Sequence, residues 1–180
     1  MDEKTALRAR MRALRRDLAR QDPDAGERAA AHLPDLTGAQ VYGLYHPVGS
    51  ELDPTALRVP GARRALPVVI ERQAPLKFRL HELGDPLAPD ALGIPAPVES
   101  ATETWPDVVF APVLAFDRQG GRLGQGGGHY DRTIAALRAR GPVKVIGLAY
   151  SGQEVAEIPR EAHDEPLDGI LTETGFISVR

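Results

Sequence analysis

Residues 107–140 read DVVFAPVLAFDRQGGRLGQGGGHYDRTIAALRAR, and this stretch decides the fold. Its apolar start (107–116) is typical of a buried strand, whereas TIAALRAR near its end has the spacing of a helix. A second apolar run, VKVIGLAY (143–150), follows that helix. A strand, a helix and another strand in this order form a right-handed crossover between parallel strands. The sequence therefore predicts an α/β protein with a mostly parallel sheet flanked by helices.

The other apolar runs extend this sheet. Each is short and is bounded by Gly, Pro or Asp, as strands are, and the predicted total is about six. The four further strands are VYGLY (41–45), ALPVVI (65–70), LKFRL (76–80) and DGILTE (168–173). In contrast, residues 84–106 contain five prolines and little periodicity, and we expect a long surface excursion there.

The N-terminal part is predicted to be helical. Apolar residues recur at helical spacing between Leu7 and Leu18, with arginines between them, which indicates an amphipathic helix from about residue 3 to residue 20. We expect most of these arginines to face solvent. A break at residues 22–24 precedes a second helical pattern that runs up to Pro34.

Composition narrows the class of protein. With 180 residues, 42% of them hydrophobic, the chain suits one globular domain spanning residues 1–180. The absence of cysteine excludes disulfides and cysteine-ligated metals, and a net charge of -3 gives no overall electrostatic reason to bind nucleic acid. The charged N-terminus is unlike a signal peptide, and no apolar window is long enough to cross a bilayer. We therefore expect a cytoplasmic protein with neither a membrane nor a nucleic-acid partner.

A glycine-rich loop, residues 117–132, joins the buried strand to the helix, and it has six glycines from Gly120 to Gly128. Glycine lets the backbone adopt positive φ and approach an anion, while amides at the start of the next helix carry partial positive charge. Because the loop runs directly from a strand into a helix, we expect a phosphate site rather than a flexible linker. The loop lacks the Gly-Lys-Ser/Thr ending of a P-loop, and a GxGxxG register from Gly124 meets His129 where glycine is needed.

The run FAPVLAFDRQGGRLGQGGGHYDR (110–132) resembles the signature of the 5-formyltetrahydrofolate cyclo-ligase family, also called methenyltetrahydrofolate synthetases. That signature is Pro-x-Leu-x-Phe-Asp followed by Arg-Leu-Gly-x-Gly-x-Gly-Tyr-Tyr-Asp. The matching positions are Pro112, Leu114, Phe116, Asp117, Arg122, Leu123, Gly124, Gly126, Gly128, Tyr130 and Asp131. The chain departs from the signature at His129, which replaces the first tyrosine, and Gly127 is lysine in some relatives.

Further segments follow the order of the family. They are Lys4-x-x-Leu7-Arg8, Gly49-Ser50-Glu51-Leu52-Asp53, Gln153, Ile158-Pro159, His163-Asp164 and Leu171-Thr172-Glu173. The resemblance thus spans nearly the whole chain. It implies a fold similar to that of sugar-phosphate isomerases and CoA transferases. It also implies an ATP- and Mg²⁺-dependent reaction, in which the N5-formyl oxygen attacks the γ-phosphoryl group and N10 then displaces phosphate.

The resemblance also assigns roles to residues. Those implied to bind ATP are Lys4, Arg8, Arg122, Gly124, Gly126, Gly127, Gly128 and Tyr130. Those implied to bind the folate are Val48, Glu51, Asp53, Gln125 and His129. Arg122 and Tyr130 are the catalytic candidates, since a guanidinium can grip two phosphoryl oxygens and the tyrosine offers a flat face or a hydroxyl. Core packing is the alternative for Tyr130.

Asp131 and Asp164 are the predicted magnesium ligands, because Mg²⁺ prefers hard oxygen donors and takes one or two carboxylates from the protein. Asp164 also has the surroundings of an ordinary turn residue. We expect Asp131→Asn to weaken turnover with little loss of stability.

Glu51 and Asp53 alternate with Leu52 along the chain, so one of the two acids can face the folate while the other caps a helix starting at Pro54. The alternation does not show which of the two acids faces the folate.

Two other functions compete with this interpretation. One is a different α/β enzyme for a phosphate-containing ligand, because a fold alone does not determine chemistry. The other is a non-catalytic folate-binding module, although folate storage would not require the cations and carboxylates of a triphosphate site. We expect the protein to act as a monomer.

Overall fold

The computed structural model describes residues 3–179, which form three α-helices and twelve strands besides a short 3₁₀ helix at Ser151–Gln153. In chain order these are α1 (Glu3–Gln21), α2 (Ala25–Ala30), β1 (Val41–Gly43), β2 (Arg63–Val68), β3 (Lys77–Leu80), β4 (Leu87–Pro89), β5 (Pro95–Pro97), β6 (Glu103–Thr104), β7 (Val108–Pro112), β8 (Ala115–Phe116), β9 (Arg122–Leu123), α3 (His129–Arg140), β10 (Lys144–Leu148), β11 (Gly169–Thr172) and β12 (Gly175–Ser178). None of the helices described combines the length and apolar character that crossing a membrane would require.

Eight of the strands form one sheet in the order β12-β11-β10-β7-β1-β2-β3-β6. The five central strands, from β11 to β2, are parallel, and the three at the edges pair in the antiparallel direction. Helix α3 connects β7 to β10, which lie side by side as parallel neighbours. The prediction of a mostly parallel α/β sheet is therefore confirmed.

The sheet is covered on both faces, which explains why its central strands read as continuous apolar runs. Within β7, Val108 and Phe110 belong to the same core cluster as Ala25 and Ala29 of α2. Val109 alternates with them and packs on the opposite face, in a cluster that includes Leu137 of α3. Alternating side chains of one strand therefore contribute to two layers of core.

The predicted strand 107–116 is wrong in its second half. Strand β7 ends at Pro112, and Ala115 and Phe116 instead form β8, which pairs with β9. The turn between β7 and β8 is held by the buried side chain of Gln153, whose Nε2 donates to the carbonyls of Val113 (2.9 Å) and Leu114 (2.8 Å). Both segments are fully apolar, so the pattern could not indicate the break between them.

Three smaller expectations also need correction. Helix α2 ends at Ala30, short of Pro34, and residues 54–57 form a single turn rather than a helix. The predicted excursion 84–106 contains a hairpin of β4 and β5, followed by β6, which pairs with β3. The prolines of this segment obscured its strands, because proline is depleted in sheets and confined largely to edges and bulges.

Asp117 fixes the glycine-rich loop to the body of the protein. Its side chain is buried, and its carboxylate accepts N–H bonds from Gln119 (2.9 Å), Gly121 (2.7 Å) and Ile158 (2.9 Å). The network is tight, since a Cβ added at Gly121 would lie 2.3 Å from one of these carboxylate oxygens. Glycine is therefore required at position 121, because the Asp117 carboxylate lies too close for a side chain there.

We predict that Gly121→Ala lowers the free energy of unfolding by about 1–3 kcal/mol, because the methyl group forces the buried carboxylate away from its donors. Urea denaturation measures this loss. Gly141→Ala is the matched control, since a Cβ at Gly141 would meet nothing within 4 Å. Equal stability of the two variants would contradict the role given to the Asp117 network.

Candidate active site

The main cavity lies at the carboxyl ends of β1 and β7. The chain leaves β1 toward β2 on one side and later returns to β7 on the other, so these neighbours mark the point where the strand order reverses. Ligands of open α/β sheets bind at such switch points. The cavity has a volume of about 700 Å³ and is bounded by α1, the loop after β1, the glycine-rich loop and residues 161–164.

Nearly all of the predicted site residues line this one cavity. They are Lys4, Arg8, Val48, Glu51, Arg122, Gly124, Gln125, Gly126, Gly127, Gly128, His129, Tyr130, Asp131 and Asp164. Asp53 is the exception: it is exposed, and its carboxylate accepts the Thr55 N–H at 2.8 Å. Of the two alternating acids, Glu51 therefore faces the cavity and Asp53 caps a turn.

Helix α1 presents a row of cations to the glycine-rich loop. Arg8 Nε donates to the carbonyl of Gly124 at 3.1 Å, and Arg12 Nε donates to Gln125 Oε1 at 2.9 Å. The sequence interpretation assigned most α1 arginines to solvent and missed Arg12. The spacing Lys4, Arg8, Arg12 could have indicated it, because residues four apart share a helix face.

The glycine-rich loop delivers the N-terminus of α3 to the cavity. Gly126 and Gly128 adopt positive φ values of 104° and 66°, and no side chain caps the helix, which begins at His129. The first amide groups of a helix have no acceptor within it and carry partial positive charge. An anion in the cavity can therefore accept hydrogen bonds from this turn.

Arg122 is a buried cation with spare hydrogen-bonding capacity. Its side chain is 4% exposed and forms an ion pair with Oδ1 of Asp131, which also accepts the Glu165 N–H at 3.0 Å. The buried Nε of Arg122 has no hydrogen-bond partner within residues 3–179. Because a buried N–H group is rarely left without an acceptor, this atom suits an oxygen supplied by a ligand.

A second ion pair lines the same cavity. Lys4 Nζ donates to Asp164 Oδ2 at 2.7 Å and lies 3.2 Å from Glu161 Oε1. Partial burial lowers the pKa of Lys4, but the hydrogen bonds and charges of Asp164 and Glu161 outweigh it and raise that pKa above its usual value. Burial acts to raise the pKa of Asp164, yet the Lys4 ammonium and the Glu161 N–H bring it below its usual value.

Both predicted metal ligands are thus paired with predicted phosphate-binding cations, and each has one carboxylate oxygen that accepts no hydrogen bond from residues 3–179. Asp131 receives its hydrogen bonds at Oδ1 and Asp164 receives its own at Oδ2. Asp164 also belongs to a group with Glu161 and His163 whose donor atoms lie within 4.8 Å of one another. Carboxylate oxygens of this kind fit the preference of Mg²⁺.

Tyr130 and His129 occupy the first turn of α3. The Tyr130 ring packs against two core clusters, and burial, with a contribution from the Glu51 charge, raises the pKa of its phenol far above the usual value. The hydroxyl therefore stays protonated. Nδ1 of His129 lies 3.4 Å from the carbonyl of Ala74, while Tyr130 and His129 both line the cavity.

An apolar wall of the cavity was missed by the sequence interpretation. It comes from the end of β2, the residue before β3 and the β4–β5 hairpin, and its residues are Val69, Leu76, Leu92, Ile94 and Pro95. Asp90 holds the hairpin in place, since it accepts N–H bonds from Val69 (3.0 Å), Leu92 (2.9 Å) and Ile94 (3.1 Å). No local sequence signal connects this hairpin to the glycine-rich loop.

The fold and the cavity define a class of protein: an α/β enzyme whose switch-point cavity combines helix-terminal amides, cations and carboxylates suited to a phosphate-containing ligand. A family model described as the 5-formyltetrahydrofolate cyclo-ligase family matches residues 1–173, and the chain belongs to that family. The family resemblance found in the sequence is therefore confirmed.

Individual relatives agree with this membership. The chain is 36% identical over 162 residues to the 5-formyltetrahydrofolate cyclo-ligase of Mycolicibacterium smegmatis, a match that covers 81% of this chain and 82% of the relative. It is 31% identical over 178 residues to that of Escherichia coli K12, covering 92% and 96%. The NMR structure of Aquifex aeolicus 5,10-methenyltetrahydrofolate synthetase is similar with a TM-score of 0.79 and 29% identity, covering 98% of this chain and 93% of the other.

The Arg122–Asp131 pair changes the expectation for Asp131→Asn. We predict that this variant loses on the order of 3 kcal/mol of unfolding free energy, because it leaves a buried guanidinium without its counter-charge. Chemical denaturation measures the loss, and the double variant Arg122→Met/Asp131→Asn should be more stable than Asp131→Asn alone. If Asp131→Asn were as stable as the wild-type protein, the ion pair would contribute nothing to the fold.

Proposed function

We propose that the protein closes 5-formyltetrahydrofolate to 5,10-methenyltetrahydrofolate, with ATP as co-substrate and Mg²⁺ as the metal ion. Membership of the family supports the folate reaction. The observation that carries the nucleotide assignment is the buried Nε of Arg122, which has no hydrogen-bond partner within residues 3–179 and lies in the cavity that the N-terminus of α3 also faces. A phosphate group can accept hydrogen bonds from both.

The triphosphate would lie along the glycine-rich loop. Lys4 and Arg8 of α1 face the loop from one side, and the first turn of α3 faces it from the other. Binding would let Lys4 and Arg122 exchange carboxylate partners for phosphate oxygens, so neither cation would be left unpaired in a half-buried site. This exchange favours an anion with several oxygens over a neutral ligand.

The folate would occupy the rest of the cavity. The apolar wall formed by Val69, Leu76, Leu92, Ile94 and Pro95 suits the flat ring systems of a folate. Glu51 offers a carboxylate to the hydrogen-bond donors of the pterin. With the folate rings on this wall, the formyl group would point toward the glycine-rich loop, where the γ-phosphate would lie.

The chemistry has two steps. First, the formyl oxygen attacks the γ-phosphorus while the bond to the departing ADP oxygen breaks, which gives an imidate-like phosphate. Next, N10 attacks the activated carbon and loses its proton, the carbon–oxygen bond breaks, and inorganic phosphate leaves. Arg122 would neutralise charge on the transferring group, and the cavity would hold the reacting atoms in line.

Asp131 and Asp164 would hold Mg²⁺ through the oxygens that their hydrogen bonds leave available. When bound, the ion supplies positive charge to the phosphate oxygens.

The proposal is tested by the absorbance of the methenyl-folate product. Purified protein is mixed with 5-formyltetrahydrofolate, and ATP and Mg²⁺ are added or withheld in turn. We expect the product band to grow only when both are present. Folate binding is measured in parallel by calorimetry, so that a loss of turnover can be separated from a loss of substrate binding.

Each other outcome has a distinct meaning. A band that grows without ATP would contradict the phosphorylation step. A flat trace from protein that binds the folate would favour a non-catalytic binding module. If the protein shows no turnover and also binds no folate, the result would indicate a different α/β enzyme for a phosphate-containing ligand.

A further inference from the structure

Arg15 is a buried cation for which the proposed reaction has no use. It lies on α1 and lines the cavity, yet its side chain is only 7% exposed, unlike the solvent-facing arginines of the same helix. Burial lowers the pKa of its guanidinium, with the charge of Glu51 acting in the opposite direction. Placing a charge in such a position is unfavourable unless it gains partners there.

The partners of Arg15 lie in the loop after β1. Its Nε donates to Ser50 Oγ at 3.1 Å, and its NH1 lies 3.9 Å from Glu51 Oε1. One guanidinium therefore spans two consecutive residues of the loop that faces the cavity. The contact joins α1, which carries the phosphate-facing cations, to the region assigned to the folate.

Glu51 gains a counter-charge from this contact. Its side chain is 11% exposed, and its Oε2 accepts the Val48 N–H at 2.9 Å. The titratable groups that face it are Arg15 from α1, Tyr45 from the loop after β1 and Tyr130 from α3, and of these only Arg15 is charged at neutral pH. Burial raises the pKa of Glu51, while the Val48 amide and Arg15 oppose the shift. Arg15 is the one cation paired with Glu51 within residues 3–179.

We propose that Arg15 is a positioning residue of the folate site, which keeps Glu51 ionised and oriented so that the carboxylate can accept hydrogen bonds from the pterin. The inference rests on the proposed function, because it takes Glu51 to contact the folate. Ser50 contributes by fixing the guanidinium through its hydroxyl. Arg15 thus acts through Glu51 and touches neither the phosphate nor the reacting carbon.

The consequence is a pH dependence of folate affinity that moves to higher pH when Arg15 is removed. Without its cation, the desolvated Glu51 carboxylate takes up a proton at higher pH than before. A protonated Glu51 cannot serve as a full acceptor, so folate affinity falls as the pH is lowered through its new pKa. Well below that pKa the loss approaches about tenfold per pH unit.

Arg15→Met tests this, since methionine keeps much of the apolar stem but removes the charge. We expect the KM for 5-formyltetrahydrofolate to rise steeply as the pH is lowered, while kcat at saturating folate changes little. The calorimetric dissociation constant of the folate, measured without ATP, should follow the same pH course. Arg15→Lys should restore part of the affinity.

Two controls isolate the effect. Arg20→Met removes a charge from the same helix at a site 79% exposed, and it should leave the profile unchanged. In the Glu51→Gln background, Arg15→Met should add no further pH dependence. His46, His129 and His163 also line the cavity, but every variant retains them, so the comparison removes their contribution. Thermal unfolding of each variant establishes that it is folded.

The inference is overturned if Arg15→Met raises KM equally at every pH, or if its pH dependence persists in the Glu51→Gln background. Its failure is distinguishable from that of the proposed function. If the wild-type protein binds the folate but forms no methenyl product, the cyclisation proposal fails, and the calorimetric profiles still decide the role of Arg15. If the wild-type protein binds no folate, both proposals are wrong.

Discussion

Buried charge at the switch point is the constraint on which the rest of the site depends. Lys4, Arg122 and Arg15 each lie in the cavity with little exposure, and each has a carboxylate partner from a different segment of the chain. Desolvated charges are tolerated only in such pairs. The pairs consequently tie α1, the glycine-rich loop and the loop after β1 around one space. A ligand that displaces one of these carboxylates must itself supply the negative charge and the hydrogen-bond acceptors that the buried cation loses.

Much of this arrangement could be predicted from local sequence. The apolar strands, the α1 helix and the glycine-rich loop each carry a pattern that depends on neighbouring residues alone. The switch-point position of the glycine-rich loop follows from those elements and from the handedness of the crossover. Nearly all of the residues that the family resemblance assigned to the site line the cavity, and only Asp53 lies outside it.

The remainder depends on tertiary contacts that leave no local pattern. Arg15 lies four residues after the buried Met11 and so shares its helix face, but its packing against Ser50 and Glu51 could not be read from the sequence. The hairpin that carries Leu92 and Ile94 reaches the cavity through the hydrogen bonds of Asp90, in a segment whose prolines obscured its strands. Similarly, the spacing of Glu51 and Asp53 left open which of them faces the cavity and which caps the following turn.

The central claim is that one cavity brings the γ-phosphate of ATP to the formyl oxygen of the folate. The most direct measurement is a crystal structure with a non-hydrolysable ATP analogue and 5-formyltetrahydrofolate bound together. We predict that the terminal phosphate lies within hydrogen-bond distance of Arg122 Nε and the first amides of α3, with the formyl oxygen facing it and the pterin near Glu51. A triphosphate bound away from the glycine-rich loop, or a folate outside the cavity, would contradict it.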